Sequence, residues 1–177
     1  MTTICVVRND KQVAIAGDGQ VTAGEKYIMK GNAQKIRRIY DGKVLSGFAG
    51  GVADAVTLQD RFVEKLKKYG GDLRRSAVEL AQDWRKDQML QKLEAMLIVA
   101  DKKDMLLVSG TGEIIQPEFD VLAIGSGGNF AQASAMALLD NTKLSPEKIV
   151  QKSVKIASEI DIFTNSDIKV EVLDRNE

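Results

Sequence analysis

Apolar residues recur along this chain with two different periods, and the change of period separates strands from helices. Four runs of strand length, each with several apolar residues, occupy residues 3–8, 12–16, 35–40 and 43–49. The turn Asn9-Asp10-Lys11 joins the first two runs, and Asp41-Gly42, a dipeptide that favours tight hairpin turns, joins the other two. The first fifty residues therefore predict two β-hairpins, with an irregular stretch between them.

Beyond residue 50 the apolar period becomes helical. A stripe spaced by three and four residues runs through Ala55, Leu58, Phe62, Leu66 and Tyr69. Gly70-Gly71 ends this helix, and Asp72 is suited to cap the next. A third helix is predicted in the segment from Ala131 to Ala137, and a fourth begins at Ser145-Pro146-Glu147, with proline at its first position. Further strands are predicted at residues 95–100, 105–109, 121–124 and 168–173.

The order of elements is strands, two helices, strands, two helices and a final strand. Helix pairs set inside a strand-rich chain favour layers, with the sheets in the middle and the helices outside. Since no linker, repeat or break in composition divides the sequence, we expect one α+β domain over residues 1–177. The stripe containing Leu58 and Phe62 could face either the core or a partner, and the core is the simpler expectation.

Composition narrows the classes of function. Lysine plus arginine equals aspartate plus glutamate, at 25 each, so no net field favours nucleic acid or an anionic membrane as a partner. No apolar run approaches the roughly 20 residues of a membrane span, and no basic segment followed by an apolar one suggests a signal peptide. We therefore expect a cytoplasmic protein.

The chain contains no histidine, and this absence excludes more kinds of active site than any single motif does. Every Ser-His-Asp or Cys-His arrangement and every imidazole metal site is excluded. The single cysteine, Cys5, lies in an apolar run and is expected to be a small buried strand residue in a reducing compartment.

A hydrolase without histidine needs another base, and the start of the chain offers one. If Met1 is trimmed, as is usual before a small residue, Thr2 carries both a hydroxyl and a free α-amine. Such an amine has a reference pKa of about 7.7–8.0 and can accept a proton near neutral pH. Candidate supporting groups are the carboxylate of Asp18, the amine of Lys35 and the glycine-rich junctions that begin at Gly47 and Gly125.

Each candidate has an ordinary alternative when it is taken alone. Thr2 could simply start a strand, Asp18 could be a turn residue, and Lys35 could be a solvated charge. Ser126 could cap a helix. The glycines at 125, 127 and 128 also resemble a phosphate-binding turn, but the position of the third glycine of that pattern holds Phe130.

Six motifs together resemble the HslV (ClpQ) family of proteasome-like peptidase subunits, in order and over nearly the whole chain. They are residues 2–4 (TTI), 16–20 (AGDGQ), 29–32 (MKGN), 47–55 (GFAGGVADA), 92–95 (KLEA) and 123–128 (AIGSGG). The resemblance implies an N-terminal nucleophile hydrolase with a four-layer α-β-β-α sandwich. It implies a threonine endopeptidase, whereas a catalytically silent ring subunit and an amidase for small molecules remain alternatives.

The resemblance also implies catalytic roles for five residues. Thr2 Oγ would attack the scissile carbonyl, with its own α-amine carrying the proton. Lys35 would lower the pKa of the nucleophile, and Asp18 would keep that lysine charged and oriented. The Gly47 N–H would donate to the oxyanion, and Ser126 would help to position the Thr2 amine.

The same family resemblance implies partners and an ion. The backbone carbonyls of Ser158, Asp161 and Thr164 would bind a monovalent cation, usually sodium. The subunits would form a homo-oligomer of two stacked hexameric rings, activated by an HslU (ClpY)-type AAA+ ATPase hexamer that supplies unfolded protein. The sequence has no Walker-type Gly-Lys-Ser/Thr loop, so ATP would be used only by that partner.

Overall fold

The computed structural model describes residues 1–87 and 95–176, and within these ranges the chain forms strands and helices in the predicted order. The strands are β1 (Thr3–Arg8), β2 (Gln12–Gly17), β3 (Val21–Ala23), β4 (Tyr27–Lys30), β5 (Ile36–Ile39), β6 (Val44–Ala49), β7 (Met96–Ala100), β8 (Met105–Ser109), β9 (Ile114–Ile115), β10 (Val121–Gly125) and β11 (Lys169–Asp174). The helices are α1 (Val52–Lys68), α2 (Leu73–Lys86), α3 (Gly128–Asn141) and α4 (Pro146–Ile160). Residues 92–94, part of one motif quoted above, lie outside the described residues.

Two antiparallel sheets stack face to face between two helix pairs. One sheet has the strand order β10-β1-β2-β11, and the other has the order β5-β6-β7-β8-β9. One apolar cluster fills the space between the sheets, a second lies between β6–β8 and helices α1 and α2, and a third lies between β1, β2 and helices α3 and α4. The predicted four-layer α-β-β-α sandwich is confirmed.

Strand β1 shows how this layering follows from the sequence. Successive strand residues point to opposite faces, so Ile4 and Val6 enter the cluster between the sheets while Cys5 and Val7 face the helices. Both faces are buried, which explains why the run is apolar without alternation. Burial also raises the pKa of the Cys5 thiol to about 12, as expected for an inert core cysteine.

The structure confirms the predicted end of α1, the cap of α2 and the core position of the apolar stripe on α1. Leu58 and Phe62 are fully buried in the core rather than on the surface. Gly70 and Gly71 have left-handed φ angles of 62° and 83°, so the chain does not continue as a helix after α1. Asp72 accepts a hydrogen bond from the Arg75 N–H at 2.9 Å and caps α2.

The irregular stretch between the two hairpins contains structure that the sequence pattern did not reveal. Strands β3 and β4 pair with each other in a separate two-stranded sheet, here called the arm (residues 21–30). Every residue of β4 is exposed, so no alternation of apolar and polar residues marks it as a strand. The short strand β9 was also missed, and α4 ends at Ile160, which leaves residues 161–168 as a loop before β11.

Candidate active site

Thr2 lies at the entrance to the central strand β1 and is held by the register of two neighbouring strands. Thr3 pairs with Gly125 of β10, and Ile4 pairs with Gly17 of β2. Gly125 has φ +94°, and a Cβ atom there would overlap the Thr2 carbonyl. Thr2 is only 3% exposed, although Met1, still attached to it in this structure, is 46% exposed. The sheet thus fixes the position of the proposed nucleophile.

Asp18 follows the end of β2 and gathers hydrogen-bond donors around the start of the chain. Its Oδ1 accepts from the Thr3 N–H at 3.0 Å, from Lys35 Nζ at 2.8 Å and, more weakly, from Thr2 Oγ1 at 3.4 Å. Its Oδ2 accepts from the backbone N–H groups of Gln20 at 2.9 Å and Asn165 at 3.3 Å. Five donors compensate for the complete burial of this carboxylate.

Lys35 precedes β5 in the opposite sheet and reaches across to the same carboxylate oxygen as Thr2. Its side chain is 10% exposed. Burial lowers the pKa of Lys35 below its ordinary 10.5, and the ion pair with Asp18 offsets part of this effect. The structure therefore brings Thr2, Asp18 and Lys35 together, and the lysine is not the solvated charge of the ordinary alternative.

Ser126 has a different principal partner from the one expected. Its Oγ lies 2.7 Å from Asp161 Oδ2, to which it donates, and 3.4 Å from the Thr2 carbonyl oxygen. The Asp161 carboxylate also accepts from Thr164 Oγ1 at 2.5 Å, and Thr164 in turn shares a 2.7 Å hydrogen bond with Thr3 Oγ1. A network of hydroxyls and one carboxylate, buried except at Ser126, therefore lies beside the start of β1.

Gly47 lies inside strand β6 rather than at the junction with α1. It pairs with Ile36 on one side and Ile98 on the other. A Cβ atom at Gly47 would come within 2.6 Å of Ile4 Cγ2 and 2.8 Å of Ile15 Cδ1. Close packing of the two sheets is thus one physical reason for glycine here. Its predicted role as an oxyanion donor stays a prediction.

A cavity of about 500 Å³ opens beside Thr2 and Lys35. Much of its wall is apolar: Val21 and Met29 from the arm, Phe48 from β6, and Val52 and Val56 from α1. A larger groove of about 770 Å³ lies around Tyr40 and residues 101–104, with none of the candidate catalytic residues in its lining. The smaller cavity is the one that chemistry at Thr2 could use.

The three residues expected to bind a cation lie at the end of α4 and in the loop that follows. The carbonyl of Ser158 belongs to the last helical turn, where carbonyls lack partners further along the helix. The Asp161 carbonyl already accepts the Thr164 N–H at 3.1 Å, and both side chains join the network around Ser126. Within residues 1–87 and 95–176, no cluster of three His, Cys, Asp or Glu residues could hold a metal.

Sequence reasoning missed two features of the site. The first is the side chain of Asp161, which was considered only as a carbonyl ligand. The second is Asn165, whose N–H reaches Asp18 and whose side-chain amide touches two glycines at the base of the arm. A polar residue in a loop gives no signal of such contacts, because they depend on how distant segments meet.

Comparisons with known proteins give consistent matches over nearly the whole chain. A family model described as "Proteasome subunit" matches residues 1–173. The ATP-dependent protease subunit HslV of Lacticaseibacillus casei is 65% identical over 172 residues, which cover 97% of this chain and 99% of that protein. The protein of the same name from Caldanaerobacter subterraneus subsp. tengcongensis is 60% identical, with 97% and 98% covered.

Solved structures show the same similarity. Eukaryotic HslV from Trypanosoma brucei superposes with a TM-score of 0.93 at 46% identity, covering 98% of this chain and 99% of that one. Thiobacillus denitrificans BPH in complex with epoxomicin gives 0.76 at 20% identity, with 98% of both chains covered, and supports the fold alone. No helix in the described parts of the chain has the length and apolar character needed to cross a membrane.

Proposed function

The chain belongs to the proteasome subunit family, among the HslV peptidase subunits, and from this premise we propose how its residues carry out proteolysis. It is a threonine-type proteolytic subunit of an ATP-dependent protease. We propose Thr2 as the nucleophile, exposed as the first residue by removal of Met1. The observation that carries this proposal is the approach of Thr2 Oγ1 and Lys35 Nζ to one oxygen of Asp18, beside a cavity.

The chemistry begins with transfer of the Thr2 hydroxyl proton to its own α-amine, directly or through one water. The oxygen then bonds to the scissile carbonyl carbon, and the proton passes to the leaving amine as the peptide C–N bond breaks. Water hydrolyses the resulting ester and restores the hydroxyl. The Lys35 ammonium favours the developing alkoxide, and Asp18 keeps this ammonium charged in a buried position.

Ser126 and Asp161 would orient the amine. Because Ser126 has one hydroxyl proton and directs it to the Asp161 carboxylate, the lone pairs of its oxygen are free to accept from an ammonium or amine on Thr2. The Gly47 N–H remains the proposed oxyanion donor.

The proposal requires a free amine on Thr2, so removal of Met1 is its first test. Intact mass spectrometry of the purified protein should show the loss of one methionine. A chain that keeps Met1 yet hydrolyses peptides would rule out the α-amine as the base.

The second test is peptide hydrolysis by Thr2→Ala in the presence of the partner ATPase and ATP. We expect loss of activity, while Thr111→Ala, at an exposed threonine far from Asp18 in the sequence, should match the wild type. Substrates with an apolar residue before the scissile bond suit the apolar wall of the cavity. Equal rates for Thr2→Ala and wild type would favour a silent ring subunit, and hydrolysis limited to small amides would favour an amidase.

The assembly belongs to the same proposal. The name HslV in the relatives implies a proteasome-like oligomer and a separate ATPase. We propose two stacked hexameric rings of this chain, an HslU-type AAA+ hexamer that feeds unfolded protein to them, and a cytoplasmic location that suits the buried free thiol of Cys5. Light scattering should give the mass of twelve subunits, and ATP hydrolysis should require the partner.

A monovalent cation at the end of α4 fits the oxygen donors present. The carbonyls of Ser158, Asp161 and Thr164 would hold it, since carbonyl oxygens suit hard cations. When bound, the ion would stiffen the loop of residues 161–168.

A further inference from the structure

We propose that Asn165 is a positioning residue that fixes the arm against the Asp18–Lys35 pair. This inference rests on the proposed function, because it concerns the same catalytic site. Asn165 lies in the loop between α4 and β11, and none of its hydrogen bonds is to Thr2 or Lys35. Its effect must therefore pass through the groups that it holds.

The side-chain amide of Asn165 holds both ends of the arm. Its Oδ1 accepts from the Gly19 N–H at 3.1 Å, just before the chain enters β3. Its Nδ2 donates to the Gly31 carbonyl at 2.7 Å, where the chain leaves β4. One side-chain amide therefore bridges the segments that enter and leave the arm, with one acceptor and one donor, as a backbone peptide group does between two strands.

These two segments meet closely because Gly19 has no side chain. A Cβ atom at Gly19 would lie 2.5 Å from the Gly31 carbonyl oxygen and 3.0 Å from the Asn32 Cα. The Gly19 carbonyl also accepts the Ala33 N–H at 2.9 Å. The base of the arm is thus tightly packed, whereas the residues of β4 beyond it are all exposed. The packing at the base therefore sets the position of the exposed strand β4.

The arm matters because it forms one wall of the cavity beside Thr2. Val21 and Met29 line this cavity together with Lys30. A displacement of the arm therefore changes the shape of the space that receives the substrate side chain.

The same asparagine also touches the catalytic carboxylate. Its backbone N–H donates to Asp18 Oδ2 at 3.3 Å, next to the Gln20 N–H at 2.9 Å. Gln20 is in turn tied to the loop by a hydrogen bond from its Nε2 to the Ile162 carbonyl at 2.9 Å. The loop of residues 161–168, the base of the arm and Asp18 consequently form one connected unit, in which Asn165 is the common member.

The two halves of the amide can be separated by substitution. Asn165→Asp keeps an oxygen for the Gly19 N–H but loses the donor to Gly31, so it should loosen mainly the arm. Because the contact with Gly19, next to Asp18, is kept, the chemical step should not slow. Asn165→Ala loses both contacts and should disturb the arm and the Asp18 turn together.

Peptide hydrolysis in the assembled protease, with the ATPase and ATP present, gives the expected pattern. Asn165→Asp should raise KM by roughly tenfold with kcat within about twofold, since one hydrogen bond of about 1 kcal/mol or slightly more is lost. Asn165→Ala should raise KM similarly and also lower kcat by roughly tenfold or more. Asn141→Ala, at an exposed asparagine bonded only to its own helix, should match the wild type.

Hydrogen exchange of the amides of residues 21–31 supplies a readout that does not depend on activity. Both Asn165 variants should exchange faster there than the wild type, with the strands of the two main sheets unchanged. A purely structural role would instead lower the active fraction, reducing kcat at constant KM in proportion to lost stability. That outcome, or wild-type KM and exchange in both variants, would overturn the inference. Absence of Thr2-dependent hydrolysis in the wild type would overturn the proposed function instead.

Discussion

Replacing Asp18 with asparagine tests the core of the site, because it removes a charge and hardly changes the shape. The carboxylate accepts hydrogen bonds from five donors through its two oxygens. An asparagine has only one acceptor oxygen. Whichever way the amide is turned, its NH2 group faces either Lys35 and the Thr3 N–H or the two backbone N–H groups of Gln20 and Asn165.

The cost follows from these contacts. At least two hydrogen bonds to a charged group are lost, each worth about 1.5–3 kcal/mol, and the Lys35 ammonium loses its buried counter-ion. These effects overlap, and breaking a buried ion pair by removing one partner typically costs about 3–5 kcal/mol. We expect the free energy of unfolding to fall by that amount. Without Asp18, the already lowered pKa of Lys35 should fall further, and peptide hydrolysis should drop by roughly 100-fold or more.

Urea unfolding followed by fluorescence of Trp84, the single tryptophan and fully buried, measures the first effect at a fixed subunit concentration. Asp83→Asn is the matched control, because Asp83 also pairs with a lysine, Lys65, at 2.5 Å but is 43% exposed. That variant should lose at most about 1 kcal/mol and keep full activity. Equal losses of stability for Asp18→Asn and Asp83→Asn would refute the assignment of Asp18 as a strongly held buried charge.

Three further changes have defined outcomes. Gly125→Ala places a methyl group against the Thr2 carbonyl at a left-handed φ, so peptide hydrolysis should fall at least tenfold. Its control is Gly70→Ala, at a left-handed glycine with open space around it, which should lower stability and leave hydrolysis unchanged. Wild-type activity should fall on the alkaline side of its pH profile, because Lys35 has a lowered pKa and loses its proton there. Arginine does not titrate in this range, so the residual activity of Lys35→Arg should lack that fall. The same alkaline fall in both proteins would exclude Lys35 as its source. Phe62→Ala, in the cluster under α1, should cost about 3–5 kcal/mol in urea unfolding, and a loss below about 1 kcal/mol would contradict its burial.

The sequence predicted the layers well because they depend on local patterns. The period of apolar residues located the helices, and Asp72 and the two glycines after Tyr69 marked the ends correctly. The arm escaped prediction because its strands bury nothing that would make the pattern periodic. The pattern of apolar residues depends on which side chains are buried, so a hairpin that is exposed on both faces cannot be predicted from it.

The candidate site divides in the same way. Thr2, Asp18 and Lys35 were identified from chemistry and from resemblance, and the structure brings them together. The contacts of Asp161 and Asn165 were not predictable, since single side chains join segments that lie 35 residues apart in the first case and 134 in the second. Such contacts depend on how the layers stack, which no local pattern contains.

The pairing of β1 with strands on both sides also fixes which residue of the chain lies at the candidate site. The register of Thr3 with Gly125 and of Ile4 with Gly17 determines which residue reaches the position next to Asp18. A slip by one residue would turn every side chain of the strand to the opposite layer. The strand register therefore allows the proposed chemistry only if cleavage falls between Met1 and Thr2, because a cut at any other bond leaves no free amine beside Asp18.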